Sequence, residues 1–263
     1  MNTIQSKDNS ILKEVKRLHK KKFRNETGRF LVEGFRFVEE ALISSFNVPY
    51  IFVSEGVKDK YIDFNIEKVL QKNSVVYFVK DNIFKDLCET VTPQGILAVV
   101  ENKKVELEDK EGFYVLIDKL QDPGNVGTII RTAHASGALG IITTKGTVDV
   151  YNDKTLRSTM GSIFNIPVIE DDDLELMRGL KSMGFKLIVS SLDTDNNFYD
   201  IDLIGKIIIA VGNEGNGISE EVYALGDEKV KIPMPGGAES LNAAVSASIM
   251  MYEAVRQKNK LSV

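Results

Sequence analysis

Apolar positions recur with helical spacing and with strand-like runs in alternation, and this pattern predicts the elements. In residues 10–22, Ile11, Val15 and Leu18 fall at helical spacing with basic residues between them, which predicts an amphipathic helix. A break at Gly28 is followed by FLVEG and by a second helical pattern through FRFVEEALIS. Short β-like runs come next: YIFVS at 50–54, VVYFV at 75–79 and GILAVVE at 95–101. Such alternation predicts a compact α/β domain.

The pattern then lapses. NKKVELEDKEG, residues 102–112, is polar, charged and nearly devoid of core-forming residues, as expected of a linker. Beyond it FYVLIDKL begins a nearly continuous apolar run, and similar runs recur in LGIITT (139–144), FKLIVSSL (185–192) and KIIIAVG (206–212). Runs of that kind predict parallel strands buried on both faces. Helical patterns separate them at TIIRTAHASGA, TLRSTMGSIF and DLELMRGLKSMG, so an open parallel sheet with helices on both faces is expected. The expected division is an N-terminal domain over 1–106 and a larger one over 107–263.

Composition adds limits. No stretch approaches the ~20 apolar residues of a membrane helix, and MNTIQSKDNSILKEVK has no secretory apolar region. The one cysteine, Cys88, reads as a small buried apolar residue. These features point to the cytoplasm, and no metal site is expected. The net charge of −5 argues at first against a nucleic-acid partner, but its distribution reverses that. Residues 1–36 hold ten Lys or Arg against four Asp or Glu, leaving 23 bases and 34 acids in the remainder. A basic arm meeting phosphates, on an otherwise acidic protein, is one reading, and a solvated helix face is the other.

Three segments of the second domain carry candidate chemistry. DPGNVGTIIRTAHASGA, 122–138, places Asn125 where a helix begins, and an Asn there can cap it. Arg131 follows among Ile129, Ile130, Ala133 and Ala135, where a buried guanidinium needs a partner. His134 reads as a packed helix residue. IIIAVGNEGNGIS, 207–219, runs a buried strand into a loop of three glycines, of the kind that lets a ligand approach the backbone at a strand's carboxyl end. GNEGNG has neither dinucleotide-fingerprint spacing nor the Gly-Lys-Ser/Thr of a P-loop, and Glu214 would repel a phosphate. KIPMPGGAESLNAAVSASIMMYEAVRQ, 231–257, leads from a short strand through a Pro-Gly-Gly turn to Ser240, Leu241 and Asn242, then into a helix of small residues that Ser240 can cap.

In content, order and spacing these segments resemble the SpoU (TrmH-type) family of the SPOUT methyltransferases, over roughly residues 113–257. The run SKDNSILKEVKRLHKKKFRNETGRFLVEGFRFVEEAL is similar to the substrate-binding domain that precedes the catalytic domain in many members, and is closest to the YsgA-like branch. The resemblance implies a SPOUT-type parallel sheet with a C-terminal trefoil knot, preceded by a smaller α/β, ribosomal-protein-like RNA-binding domain. It implies a homodimer that moves a methyl group from S-adenosylmethionine to an RNA ribose 2′-hydroxyl, with ribosomal RNA preferred over transfer RNA. By the same resemblance, Asn125, Arg131, Glu214, Ser240 and Asn242 form the catalytic constellation. Gly212, Asn213, Ile232, Met234, Leu241 and Asn242 hold the cofactor, largely through backbone groups. From the basic N-terminal region, Lys20, Lys21, Lys22, Arg24 and Arg29 are expected to face RNA, and the resemblance adds Arg157 in TLRSTMGSIFNIPV.

The family reading proposes Arg131 as the base. A guanidinium loses its proton only above a pKa of about 12, so gripping a phosphate or stabilising a developing alkoxide suits it better. Two other functions stay open: a SPOUT-type base methyltransferase and a non-catalytic RNA-binding or ribosome-assembly protein. A nucleotide-dependent oxidoreductase is excluded by the glycine spacing.

Overall fold

A computed structural model of the chain describes residues 2–103 and 105–260 and divides into two compact units. Among the described residues, the first comprises 2–103 and 151–156, the second 105–150 and 157–260.

In the first unit, β1 (Asn2–Ile4) leads to α1 (Ser10–Arg17), α2 (Lys21–Thr27), β2 (Arg29–Glu33), α3 (Phe35–Ile43) and β3 (Asn47–Ser54). There follow α4 (Lys58–Asp63), α5 (Ile66–Val69), β4 (Val75–Val79), α6 (Asp81–Lys85) and β5 (Ile96–Glu101). The sheet runs β1-β4-β3-β5-β2, with β1, β4 and β3 parallel and β5 antiparallel to its neighbours. Leu12, Val15 and Leu18 pack with Phe52, Phe84, Leu87 and Val99 in its core.

The helix expected over residues 10–22 is two helices. α1 ends at Arg17, and Lys20 takes an extended conformation (φ −93°, ψ 124°) before α2 begins. Two contacts hold the break. The buried Arg24 guanidinium donates to the Leu18 carbonyl (2.7 Å), supplying a partner that a helix end lacks, and a His19 ring nitrogen lies 2.8 Å from the Leu87 carbonyl. Cys88 is half-buried beside this core, and burial pushes its thiol pKa up.

The second unit contains β6 (Gly112–Ile117), α7 (Pro123–Ala135), β7 (Gly140–Thr144), α8 (Asp153–Thr159, shared with the first unit), β8 (Val168–Asp171) and α9 (Glu175–Ser182). The chain continues through β9 (Lys186–Ser190), β10 (Lys206–Val211), α10 (Glu220–Tyr223), β11 (Glu228–Val230) and α11 (Ala243–Lys260). All six strands are parallel, in the order β11-β9-β10-β6-β7-β8. The central strands β6 and β10 are apolar from Phe113 to Ile117 and from Ile207 to Val211 because both faces are covered. Met177, Leu180 and Val222 of α9 and α10 join one core with Leu116, Leu187 and Ile208, while α11 packs on α7 and β10, with Ala244, Ala247 and Met251 among its buried residues.

TLRSTMGSIF is not one helix. α8 stops at Thr159, because Met160 (φ +48°) and Gly161 (φ +82°) turn left-handed before a 3₁₀ turn at Ser162–Phe164. The short strand ahead of the Pro-Gly-Gly turn lies earlier than expected, as β11.

Candidate active site

The site lies at the carboxyl ends of β6 and β10, which pair in register from Gly112–Lys206 to Ile117–Val211. Here the chain leaves adjacent parallel strands into separate loops, the place where open α/β sheets bind ligands.

After β6, Asp122 rather than Asn125 caps α7. Its carboxylate accepts the Asn125 N–H (2.8 Å), and Pro123 opens the helix, where a missing N–H costs nothing. Asn125 therefore sits in the first turn with its side chain free of capping. After β10, Gly212 leads into a tight turn closed by Asn213 N–H to the Gly217 carbonyl (2.8 Å) and Gly217 N–H to the Asn213 carbonyl (2.9 Å). A Cβ on Gly212 would overlap the Gly217 carbonyl and the Ile218 N–H, and Gly217 is left-handed (φ +69°). These glycines are thus required by the loop's own closure, where the sequence suggested ligand approach. The Asn213 side chain accepts the Gly215 and Asn216 N–H groups (2.9 and 3.1 Å) and donates to the Lys119 carbonyl (2.9 Å). Glu214 is exposed in this turn.

The third loop ends at α11, and the residue that caps it is Asn242, not Ser240. The Asn242 side-chain oxygen accepts the Ala244 and Val245 N–H groups (2.9 and 3.3 Å). That orientation turns its amide nitrogen to Asn125, whose oxygen accepts it (2.9 Å), and Asn125 in turn donates to a Glu214 carboxylate oxygen (2.9 Å). The backbone N–H groups of α11 settle which end of Asn242 is oxygen, and that settles Asn125. One polarised chain of hydrogen bonds thus joins the three candidate segments.

Other predicted residues lie apart from it. Arg131 is exposed on α7, six residues after Asn125, and pairs with none of the described residues. It is not the buried guanidinium in need of a partner that the helix pattern suggested, because its side of α7 is open. His134 is likewise exposed rather than packed, with Nδ1 3.2 Å from the Ser162 hydroxyl. Ser240 is exposed and outside the chain of hydrogen bonds.

Ile232 is buried, Met234 half-buried and Leu241 exposed. Among the described residues, the Ile232 and Leu241 N–H groups find no acceptor. Unpaired backbone donors beside apolar side chains suit an adenosine. An acidic rather than basic loop suits a cationic sulfonium, so these residues fit S-adenosylmethionine.

In the first unit Lys20, Lys21 and Lys22 are exposed at the start of α2. Arg24 is not available to RNA, being buried against the Leu18 carbonyl. Arg29 is half-buried between Glu14 (3.0 Å) and Glu101 (2.7 Å), and their carboxylates raise its pKa against the opposing effect of burial. Both arginines were predicted from charge counting, which does not distinguish a basic surface from a buried pair. Arg157 is exposed on α8.

A parallel α/β domain with this polar cluster at its strand ends has the form of a ligand-binding domain, and comparison defines it further. Residues 112–252 match the SpoU rRNA Methylase family, and residues 9–98 match the MRM3-like substrate binding domain. The 23S rRNA (guanosine(2553)-2′-O)-methyltransferase RlmP of Bacillus subtilis is 38% identical over 96% of this chain and 98% of its own. The AdoMet-bound rRNA methyltransferase of Sinorhizobium meliloti superposes with a TM-score of 0.83 at 30% identity, over 97% of both chains. The SpoU methyltransferase AviRb of Streptomyces viridochromogenes also gives 0.83 at 30% identity, over 96% of this chain and 98% of its own. The chain belongs to the SpoU rRNA methylase family.

Proposed function

We propose that the Asn125–Glu214–Asn242 cluster is the reaction centre of an S-adenosylmethionine-dependent rRNA ribose 2′-O-methyltransferase. The activity and the cofactor follow from membership of the family, from the 2′-O-methyltransferase named among its relatives and from the AdoMet-bound structure it resembles. The placement of the reaction rests on one observation, the hydrogen-bond chain that joins the three family segments.

When bound, S-adenosylmethionine supplies an electrophilic methyl carbon on a sulfonium, open to in-line attack by a ribose oxygen. Backbone groups of Gly212, Asn213, Ile232, Met234, Leu241 and Asn242 hold it. The protein's contribution is then mostly positioning. Asn125 and Asn242 orient the ribose, and Glu214 fixes Asn125. Ser240 lies two residues before Asn242 in the loop that leads into α11. Arg131 grips the phosphate next to the ribose or stabilises the developing alkoxide, and a phosphate oxygen or water takes the proton. No metal is called for.

The remainder of the reading concerns assembly. A homodimer with the site near its interface accounts for an unpaired, exposed Arg131 and for α11, where Val245 and Tyr252 are 47% and 51% exposed and share a helix face with Ile249. A C-terminal trefoil knot accounts for the return of α11 to the middle of the sheet. Residues 1–106 form the ribosomal-protein-like domain that binds substrate, with Lys20, Lys21 and Lys22 on phosphates and Arg157 contributing from the catalytic domain at 107–263. Among the described residues no helix is long and apolar enough to cross a membrane, and we place the enzyme in the cytoplasm. Ribosomal RNA is preferred to transfer RNA as substrate.

Incubation with radiolabelled S-adenosylmethionine and separate pools of unmodified ribosomal and transfer RNA, followed by digestion to nucleosides, tests this. Label in a 2′-O-methylnucleoside from ribosomal RNA is expected. Label on a base, or none from either free or particle-assembled RNA, would overturn it.

A further inference from the structure

Asp118, next in sequence after β6, belongs to none of the three family segments, yet it is fully buried. Its N–H continues the strand ladder to the Val211 carbonyl (2.9 Å). One carboxylate oxygen accepts the Thr144 hydroxyl at the end of β7 (2.6 Å), and the other accepts the Ser219 N–H just ahead of α10 (2.6 Å). Thr144 also accepts the Lys119 N–H (3.1 Å), so its own hydrogen is committed to Asp118. Among the described residues no cation pairs with Asp118. Enclosing a carboxylate without a counter-ion is expensive and is sustained only by hydrogen bonds to its oxygens.

The position of those bonds gives the group a purpose beyond packing. Ser219 closes the far end of the glycine loop, and the Asn213 side chain ties its near end to the Lys119 carbonyl. Two adjacent residues, 118 and 119, therefore clamp both ends of the turn that carries Glu214. We propose that Asp118 is a positioning residue for methyl transfer: it holds the Gly212–Ser219 loop in the shape that receives S-adenosylmethionine and presents Glu214 to Asn125. This rests on the placement of the cofactor at that loop given under the proposed function.

The test is Asp118→Asn in the full chain. An amide keeps the volume but offers one acceptor where two donors point. We expect the S-adenosylmethionine dissociation constant, measured by calorimetry, to rise about tenfold through loss of one charge-assisted bond. RNA affinity is expected to stay within about twofold, because on the proposed function it resides mostly in the other unit's lysines, while the melting temperature reports any general loss of structure. Thr144→Val removes one donor and leaves the Ser219 bond, so a smaller rise is expected. Thr144→Ser keeps the hydroxyl and is expected to restore wild-type affinity. If Asp118→Asn does not fold, the Thr144 pair carries the test. Unchanged cofactor affinity in folded Asp118→Asn, or equal affinity in Thr144→Val and Thr144→Ser, would overturn the role while wild-type binding leaves the placement of the cofactor standing. Failure of the wild-type chain to bind S-adenosylmethionine would overturn both.

Discussion

The Asn242 amide donates to the Asn125 side-chain oxygen at 2.9 Å across 117 residues of sequence, while the Asn242 oxygen caps α11. A helix terminus thereby dictates which end of Asn125 faces Glu214. Asn125→Asp keeps the shape and the acceptor for Asn242 but replaces the donor to Glu214 with a carboxylate oxygen, setting a carboxylate against the Glu214 carboxylate. Misplaced reacting groups cost on the order of 100-fold. Methyl incorporation should fall by about that factor, with the far-UV circular dichroism spectrum unchanged.

Arg131 is exposed and makes no hydrogen bond or ion pair among the described residues. Exposed and unpaired, it should be removable with a stability change within about 0.5 kcal/mol. The rate of the chemical step should fall roughly 100-fold or more in Arg131→Ala, as for lost transition-state electrostatics, and less in Arg131→Lys. Single-turnover rates across pH check the role. If Arg131→Ala retains the wild-type pH dependence of the chemical step, the arginine is not the base.

The basic region of the first unit separates into two functions. Replacing Lys20, Lys21 and Lys22 together by Ala should leave the melting temperature nearly unchanged. It should also flatten the salt dependence of RNA binding by about 2 to 3 in the log–log slope. Arg24→Ala should do the opposite. It orphans the buried Leu18 carbonyl at the break between α1 and α2, a loss of about 1–3 kcal/mol in stability. Filter binding over a salt series, alongside thermal melts, distinguishes the two.

Gly212→Ala places a methyl group where the Gly217 carbonyl lies, so the Asn213–Gly217 closure must open. Cofactor binding should drop by about tenfold or more, consistent with a displaced loop, while the strands of the second unit keep their protection in hydrogen exchange.

Glu101 should contribute to acid sensitivity. Hydrogen bonds from Asn47 and Arg29, with the charge of Arg29, hold its carboxyl below the usual glutamate range, even though burial acts the other way. A lowered folded-state pKa means the contribution is present above the unfolded value of about 4.3 and disappears as pH falls through the folded one. Glu101→Gln should therefore narrow the gap between melting temperatures at pH 7 and pH 4. An equal gap in Glu101→Gln and wild type would contradict this.

The apolar runs of β6, β7, β9 and β10 were readable in the sequence, since a strand covered on both faces carries apolar residues at consecutive positions along its middle. The family resemblance was readable too, being carried by local segments such as GNEGNG and ESLN. Caps were harder to read. Asp122, Asn125, Ser240 and Asn242 are all competent cap residues, and only the observed helix starts select Asp122 and Asn242. The breaks after Arg17 and Thr159 were also hidden, because the apolar spacing continues across both while the backbone turns. Strand order was beyond the sequence, since β10 reaches past β7 and β8 to pair with β6. So was the site's geometry: Asn125 meets Glu214 over 89 residues, and Asp118 meets Ser219 over 101. Local patterning determines what each segment prefers to be. Which segments touch depends on closing long loops against entropy, a cost met only when the whole sheet forms, and only the tertiary structure shows the outcome.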